Sequence, residues 1–433
     1  MHAKSARLCK EAANGVESPA RRIADLCRER RIRLIDIWFT ELGGRPWRLT
    51  LNAENLDDKM FRNGVLVDGK QVGGSWDGLI ALVPDPAHSF VDPIATVPTL
   101  ALFCDVRQAS GEPYAQDPRS ALKRTLRYFR RAWPGWTWNL GAELESFLIG
   151  ADGNTISNAS LRELVRECWD LLSAAGIAVD WFRIGPPDGL GRIQMKAADA
   201  LKTADQAVLY KHVLRRAARR HGLTARFIAK PFSGPGSASM LTHHALWKDG
   251  ENRFFDAGGW AQTSSLARTF AAGLLRHAPA LLAFCAPSTN SYRRLAPGEG
   301  PVHLILSQTH SAAACRVPAG TTGSSPASRR VKFCCADPSA NPYLAFAVLL
   351  LAGLDGVERA VEARPDVAVA SSPMPRSLDE ALDALKLDFD FLLKGGAFTS
   401  ELIEAWIEDR RRTQILPVRA VPHPKELELD RED

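Results

Sequence analysis

The stretch Gly141-Ala-Glu-Leu-Glu-Ser-Phe-Leu148 places two acidic side chains inside a segment that predicts a β-strand over residues 138–149. Glu143 and Glu145 are two residues apart, and residues with that spacing on a strand point to the same face. Two carboxylates so close raise each other's pKa unless a cation neutralises them, and a divalent metal with oxygen ligands is the usual cation. The stretch therefore predicts a metal site, with a solvated pair on an edge strand as the alternative.

Composition is that of a globular protein with room for two or three domains. The chain has 433 residues, of which 45% are hydrophobic and 24% charged, and its net charge is +6. Two basic clusters, residues 215–220 and residues 410–412, are interpreted as solvated helix faces because no aromatic interleaving or known binding motif accompanies them. We therefore predict no nucleic-acid partner.

Targeting and redox signals point to the cytoplasm. No apolar run reaches the length of about 18 residues that a membrane span needs, and the N-terminus lacks the apolar core of a signal peptide. The 8 cysteines are scattered and form no CxxC pair, which favours reduced, buried thiols over a disulfide framework.

The positions of turn-forming residues along the chain predict two domains after a leader of residues 1–20. Short apolar runs over residues 32–106 predict strands, and the polar, turn-rich residues 111–119 predict a domain boundary. Beyond that boundary the pattern is mixed, with a Gly/Ser/Thr/Pro loop at 320–328. Helices are predicted at 21–31, 120–132, 160–175, 205–221, 341–354, 377–393 and 399–412, and further strands at 225–229 and 304–307.

An ordered set of short motifs resembles the glutamine synthetase family, meaning the bacterial type I enzymes and their γ-glutamyl–amine relatives. Each motif is weak alone, but together they cover residues 20–430 in family order. The motifs are Lys59-Met-Phe, Val67-Asp-Gly69, Val83-Pro-Asp-Pro86, Asp117-Pro-Arg119, Gly141-Ala-Glu-Leu-Glu145, Ala229-Lys-Pro231, Asn290-Ser-Tyr-Arg-Arg-Leu-Ala-Pro-Gly298, Asp337-Pro-Ser-Ala-Asn-Pro-Tyr-Leu-Ala345, Ser377-Leu-Asp-Glu-Ala-Leu382 and His423-Pro424.

The resemblance implies an α+β fold, with an N-terminal β-grasp domain at 21–112 and a catalytic domain at 113–433. That catalytic domain is expected to hold a curved antiparallel sheet with helices. In the family, ATP phosphorylates the γ-carboxylate of glutamate, and ammonia or an amine displaces the phosphate, with metals and arginines stabilising the charge. The family also implies a ring-shaped homo-oligomer, or co-assembly with an active paralogue.

Most of the metal ligands that the resemblance implies are missing here. Glu143 and Glu145 are retained, whereas the other ligand positions hold Pro186, Gln194, Leu241 and Lys332. Losing most of the negative charge argues against Mg²⁺ or Mn²⁺ at this site. Asp188 is an alternative ligand. Lys332 has two open interpretations: it forms an ion pair with Glu143 or Glu145, or it extends to solvent.

Other family positions keep residues of the expected chemistry. Arg294 matches the arginine for the substrate carboxylate, Arg316 a phosphate-side arginine, and Glu299 the flap glutamate that accepts a proton from ammonium. Two family arginines are replaced, by His310 and Cys334. The residues left to bind a nucleotide such as ATP are His243, Trp247 and Arg330.

Three functions remain open from the sequence. The leading hypothesis is a glutamine-synthetase-like protein that makes no glutamine and binds a small carboxylate or a nucleotide. The second is an ATP-dependent γ-glutamyl–amine ligase with a rebuilt site. The third is metal-free chemistry by a Cys/His pair drawn from Cys334, Cys335 and His310.

Overall fold

The computed structural model describes residues 18–72, 76, 78–150, 158–185, 189–234, 236–319, 325–367, 373–423 and 426. Pro186, Asp188, Pro424, most of the predicted leader and residues 320–324 of the predicted loop lie outside these residues. The chain falls into two compact units. The first unit comprises the described residues up to Glu41 together with Arg45–Ser120 and Ala174–Gly176. The second unit comprises the other described residues.

A five-stranded mixed sheet forms the first unit. Its elements are α1 (Pro19–Glu29), β1 (Leu34–Thr40), β2 (Pro46–Asn52), α2 (Asp58–Asn63), β3 (Val65–Asp68), β4 (Leu79–Val91) and β5 (Thr99–Gln108). The strand order is β2-β1-β5-β4-β3, with β1 and β5 parallel and the other neighbours antiparallel. Ser18 caps α1 and Asp57 caps α2, while Ile23 of α1 joins Ile37 and Leu102 of the sheet in one buried core.

The second unit combines a larger sheet with most of the helices. Its strands are β6 (Trp136–Gly150), β7 (Val179–Gly185), β8 (Leu190–Ala198), β9 (Leu223–Arg226), β10 (Met240–Lys248), β11 (Glu251–Asn252), β12 (His303–Ser307), β13 (Ala313–Arg316) and β14 (Val331–Phe333). The main path is β12-β13-β14-β10-β6-β8-β7, while β9 pairs with β6 and β11 with β10. Neighbours are antiparallel except β12 and β13. Strand β6 is an interior strand of this sheet, between β10 and β8.

Helices supply the rest of this unit, and one of the longer helices is buried along most of its length. They are α3 (Pro118–Ala132), α4 (Asn158–Ala174), α5 (Ala200–Arg220), α6 (Ser265–Arg276), α7 (Ala278–Cys285), α8 (Ser291–Arg294), α9 (Pro342–Arg359), α10 (Leu378–Leu387), α11 (Ser400–Arg410) and α12 (Leu416–Arg419). This buried helix, α9, begins as its sequence predicts, with Asn341 as cap and proline at the first position. It lies so close to α6 that a Cβ on Gly353 would be 2.2 Å from the Phe270 ring.

Several boundaries differ from the sequence prediction. The strand predicted at 225–229 is β9, which ends at Arg226, and the helix predicted at 377–393 ends at Leu387. A 3₁₀ segment follows at Asp390–Gly396, where Gly395 adopts a positive φ of 62°. The prediction did not include α6, α7, β7, β8 or β10. Among the described residues, none of the helices is long and apolar enough to cross a membrane.

Candidate functional site

Strand register gathers the predicted metal-ligand positions around Glu143. On β6, Glu143 lies directly opposite Leu241 of β10 and opposite Gln194 of β8. One strand further along, Lys332 of β14 lies opposite His243 of β10. Glu143, Gln194, Leu241 and Lys332 therefore share one region of the sheet, as the resemblance implies.

Lys332 neutralises Glu143 directly. Its Nζ donates a hydrogen bond of 2.8 Å to Glu143 Oε1, and both side chains are 14% exposed. Of the two interpretations that the sequence left open for Lys332, the ion pair is therefore present, and it is made with Glu143. His243 Nε2 lies 2.8 Å from the same oxygen, without the alignment of a hydrogen bond.

Charge states in this cluster follow from burial and from Lys332. Burial alone would raise the pKa of Glu143, but the contact with His243 and the charge of Lys332 lower that pKa to about 2. Burial lowers the pKa of His243 to about 4, and the ammonium of Lys332 acts in the same direction. At neutral pH Glu143 is therefore ionised and His243 is neutral.

Glu145 has a separate set of partners. Its Oε2 accepts hydrogen bonds from the backbone N–H of Ser239 at 2.7 Å and from the Ser239 hydroxyl at 2.6 Å. Arg192 Nε lies 2.8 Å from Glu145 Oε1. Arg192 was not predicted as a site residue, although its position two residues before Gln194 on a neighbouring strand was the available signal.

These residues do not fit a pair of divalent metals. Each retained carboxylate already has its own cation, Lys332 for Glu143 and Arg192 for Glu145. Gln194 offers no charge, and its amide nitrogen donates to Asp180 Oδ2 at 2.9 Å. Leu241 cannot coordinate a metal. Within the described part of the chain, no group of three or more His, Cys, Asp or Glu side chains is arranged to hold a metal ion.

The predicted substrate arginines are bound to acceptors of the protein itself. Buried Arg294 donates to the backbone carbonyls of Cys334 at 2.6 Å and Cys335 at 3.2 Å. Arg316 Nε donates to Cys334 Sγ at 3.2 Å. These bonds fix both guanidinium groups beside the segment that follows β14, and their roles in binding substrate stay predictions.

Glu299 is held by a lysine. Lys230 Nζ lies 2.6 Å from Glu299 Oε2 and also donates to the Gly234 carbonyl at 2.6 Å. Asn290 fixes the backbone of Lys230, accepting from its N–H at 2.7 Å and donating to its carbonyl at 2.8 Å. The Glu299 carboxylate is therefore engaged by a side chain of the protein itself, and its role in accepting a proton from ammonium stays a prediction.

The predicted nucleotide-binding residues line one cavity. Its volume is about 120 Å³, and its walls include His243, Trp247, Arg330, Gln194 and Asp180. The buried Trp247 Nε1 and Arg330 Nε have no hydrogen-bond acceptor among the described residues. Unpartnered buried donors are rare in folded proteins, and here two of them belong to residues that line the same cavity.

Seven cysteines lie in the described part of the chain. All seven are free and buried, so their burial agrees with the sequence prediction, while their reduced state stays a prediction. Burial raises the pKa of Cys335, the opposite of what a nucleophile needs. His310 lies 5.0 Å from His303, ring centroid to ring centroid, and its Nδ1 accepts from the Ala312 N–H. These contacts do not favour a catalytic Cys/His pair.

Comparison with known proteins gives one consistent assignment. Residues 154–429 match the family "Glutamine synthetase, catalytic domain". Glutamine synthetase of Frankia alni is 34% identical, over 93% of this chain and 97% of that protein. Glutamine synthetase of Mycolicibacterium smegmatis is 32% identical, over 94% and 98%.

A solved structure agrees on the fold. The Plasmodium falciparum glutamine synthetase structure matches 96% of this chain and 99% of its own, with a TM-score of 0.84 at 20% sequence identity. This likeness confirms the predicted fold class. From the sequence relatives and the matching family, the chain belongs to the glutamine synthetase family.

Proposed function

We propose that this chain is a family member that makes no glutamine, and that it binds a small carboxylate or the phosphate part of a nucleotide. The observation that carries the proposal is the Lys332–Glu143 ion pair of 2.8 Å. It places a fixed ammonium group where the family resemblance implies a metal ligand.

Electrostatics decides against a divalent ion beside this pair. A divalent and a monovalent cation 4 Å apart repel each other by roughly 8 kcal/mol at an effective dielectric constant of about 20. Attraction to Glu143 at a similar distance is only equally large, so Lys332 cancels it. Arg192 acts in the same way on Glu145. Phosphoryl transfer depends on cations that neutralise the developing charge, so this arrangement supports a site without ligase activity.

The cavity at Trp247 supports retained ligand binding. Trp247 and Arg330 line it, and each carries a buried nitrogen donor without an acceptor among the described residues, which favours a ligand with an anionic group. A volume of about 120 Å³ is small against the 300 Å³ or more of typical ligand pockets. The cavity therefore suits a carboxylate or a phosphate group rather than a whole nucleotide.

Turnover is the first test. ADP release is measured with ATP, glutamate, Mg²⁺ or Mn²⁺ and a panel of amines, with Glu143→Ala as the matched control. We expect no release above the control for any amine. Release that disappears in Glu143→Ala would overturn the proposal.

Metal binding gives a second, independent readout. Isothermal titration with Mn²⁺ should detect no ion at this site in the native chain. In Lys332→Glu the ammonium is replaced by a carboxylate, and weak Mn²⁺ binding should appear because Glu143 and the new glutamate then face a site without Lys332. Tight Mn²⁺ binding by the native chain would contradict the electrostatic argument.

The alternative is an ATP-dependent γ-glutamyl–amine ligase with a rebuilt site. Asp180 favours it, because this carboxylate lines the same cavity and lies 2.9 Å from the amide of Gln194. In that case ADP release would require one particular amine and would be lost in Asp180→Asn as well as in Glu143→Ala.

We also propose a homo-oligomer of ring type, or co-assembly with an active paralogue, in the cytoplasm. Support comes from the family membership and from the free cysteines. Light scattering after size exclusion would give the mass of the assembly. A monomer that remains monomeric with an active paralogue present would contradict this proposal.

A further inference from the structure

A group of arginines without counter-ions surrounds the end of helix α5. Arg215 and Arg219 lie on α5, and Arg226 ends the next strand, β9. Within the described residues, none of these three has a carboxylate within 4.0 Å. Arg220 of the same helix is different, since its NH1 lies 2.9 Å from Glu167 Oε1. The charge of the three unpaired arginines is therefore not balanced locally.

An apolar cleft opens between these arginines. Its volume is about 470 Å³, and its lining includes Arg215, Arg226, Phe227, Ile228 and Phe232. Phe232 is 51% exposed, although it is a large apolar side chain. Its ring is nevertheless fixed, because it meets Phe147 edge to face with the centroids 5.8 Å apart. The cleft thus combines a flat apolar wall with guanidinium groups.

Arg215 packs on an aromatic ring and lies near two other arginines, Arg219 and Arg226. The guanidinium carbon of Arg215 lies 4.8 Å from the centroid of the Phe227 ring. Burial lowers the pKa of Arg215, and the neighbouring charges of Arg219 and Arg226 lower it further. The guanidinium groups repel one another, and an anion bound between them would offset this repulsion.

A purely structural role explains only part of this group. Arginines in the last turn of a helix interact favourably with its carbonyl end, which accounts for Arg219 and Arg220 on α5. Arg226 lies on a strand and has no such explanation. The aromatic side chains come from the segment after β9, so the combination could not be seen in the basic sequence cluster alone.

We propose that this cleft binds a small anion that carries an aromatic or other flat apolar group, such as an aryl phosphate or a nucleotide. The apolar group would lie against Phe232 and Ile228, and the anionic group would lie between Arg215 and Arg226. The volume falls within the usual range for small-ligand pockets. None of the residues that line this cleft lines the cavity at Trp247, so this is a second site.

Isothermal titration of the full chain with phenyl phosphate tests the proposal. Inorganic phosphate supplies the charge alone, and phenol supplies the ring alone. Phenyl phosphate should bind at least tenfold more tightly than either. In the double variant Arg215→Gln/Arg226→Gln its affinity should fall at least tenfold, and Phe232→Ala should weaken it by a smaller factor.

Matched controls locate the site. Arg216→Gln removes an exposed arginine of the same helix that does not line the cleft, and it should leave the affinity unchanged. In Arg330→Gln, any separate binding event at the cavity at Trp247 should weaken, while the binding event assigned to this cleft should keep its affinity. Arg215, Arg216 and Arg226 have solvent-exposed side chains, so their variants should fold, and circular dichroism checks this for every variant. No binding, equal binding of inorganic phosphate, or equal affinity in the double variant would each overturn the proposal.

Discussion

Two ion-pair clusters in the second unit each join a carboxylate, a lysine and a histidine, but the pKa of the histidine is shifted in opposite directions. Around Glu143, a carboxylate meets Lys332 and His243, each 2.8 Å away. Around Asp355 of α9, a carboxylate meets Lys394 at 2.8 Å and His277 at 2.9 Å, with Arg359 as a further partner. The first cluster lies on the sheet at the candidate site, whereas the second ties helices together.

The number of carboxylates facing each histidine explains the difference. His277 contacts two of them, through Nε2 to Asp355 and through Nδ1 to Asp388 at 2.7 Å. Burial alone would lower the pKa of His277, but these two bonds raise it on balance. His243 faces one carboxylate that Lys332 already neutralises, and its pKa is lowered to about 4. Burial, with the charge of Lys332 acting in the same direction, therefore leaves His243 neutral at pH 7.

The largest effect is expected when His277 is removed. His277→Leu should lower the free energy of unfolding by about 3 kcal/mol, because two carboxylates lose a charged partner and the stacking on Phe391 at 3.9 Å is altered. His243→Leu is the matched control and should cost about 1 kcal/mol, since it breaks no aligned hydrogen bond. Urea unfolding at pH 6 measures both. Equal losses would contradict the difference in charge between the two histidines.

The second comparison is between the losses of stability when the lysine of each cluster is replaced by methionine. Lys332→Met should cost about 2 kcal/mol, because Glu143 is then ionised and largely buried beside a neutral histidine. Lys394→Met should cost about 1 kcal/mol, since Lys394 is 27% exposed and Asp355 keeps His277 and Arg359. Urea unfolding at pH 7 gives both values. If Lys394→Met were the costlier change, Lys332 would not be the main partner of Glu143.

Sequence alone predicted that the first cluster pairs carboxylates with a lysine, but it did not predict all of the residues that contact those carboxylates. The spacing of Glu143 and Glu145 predicted a shared face, and the family motif gave Lys332 as a candidate partner. Arg192 and Ser239 were missed because they reach Glu145 through the register of β8 and through the segment before β10. Such long-range pairing leaves no local pattern.

The second cluster was not predicted at all. His277 lies between α6 and α7, two helices that the sequence analysis did not assign. Its partners Asp355 and Asp388 are far away in the chain and have no spacing that singles them out. Helix α9 was predicted with its asparagine cap because both the cap and the apolar run are local features.

Stability should fall at alkaline pH because of His277. Its pKa is raised in the folded state, so its contribution is complete below its ordinary pKa of about 6.5 and is lost as the pH rises through the raised value. The slope cannot exceed about 1.4 kcal/mol per pH unit for one proton. Unfolding by urea from pH 6 to pH 9 measures it, with His277→Gln as control. A slope that persists unchanged in His277→Gln would assign it to another group.

The smallest expected loss of stability concerns Arg192, the cationic partner of Glu145. It tests whether Glu145 depends on its cation less than Glu143 depends on Lys332. Arg192→Gln should lower the free energy of unfolding by about 1 kcal/mol or less, because Arg192 is 31% exposed and Glu145 keeps both hydrogen bonds from Ser239. Ser239→Ala, which removes only the hydroxyl bond, is the control, and urea unfolding at pH 7 compares the two. If Arg192→Gln instead cost as much as Lys332→Met, Glu145 would depend on a fixed cation as strongly as Glu143 does. Both carboxylates would then rely on side chains of the protein for the charge that a metal would otherwise supply.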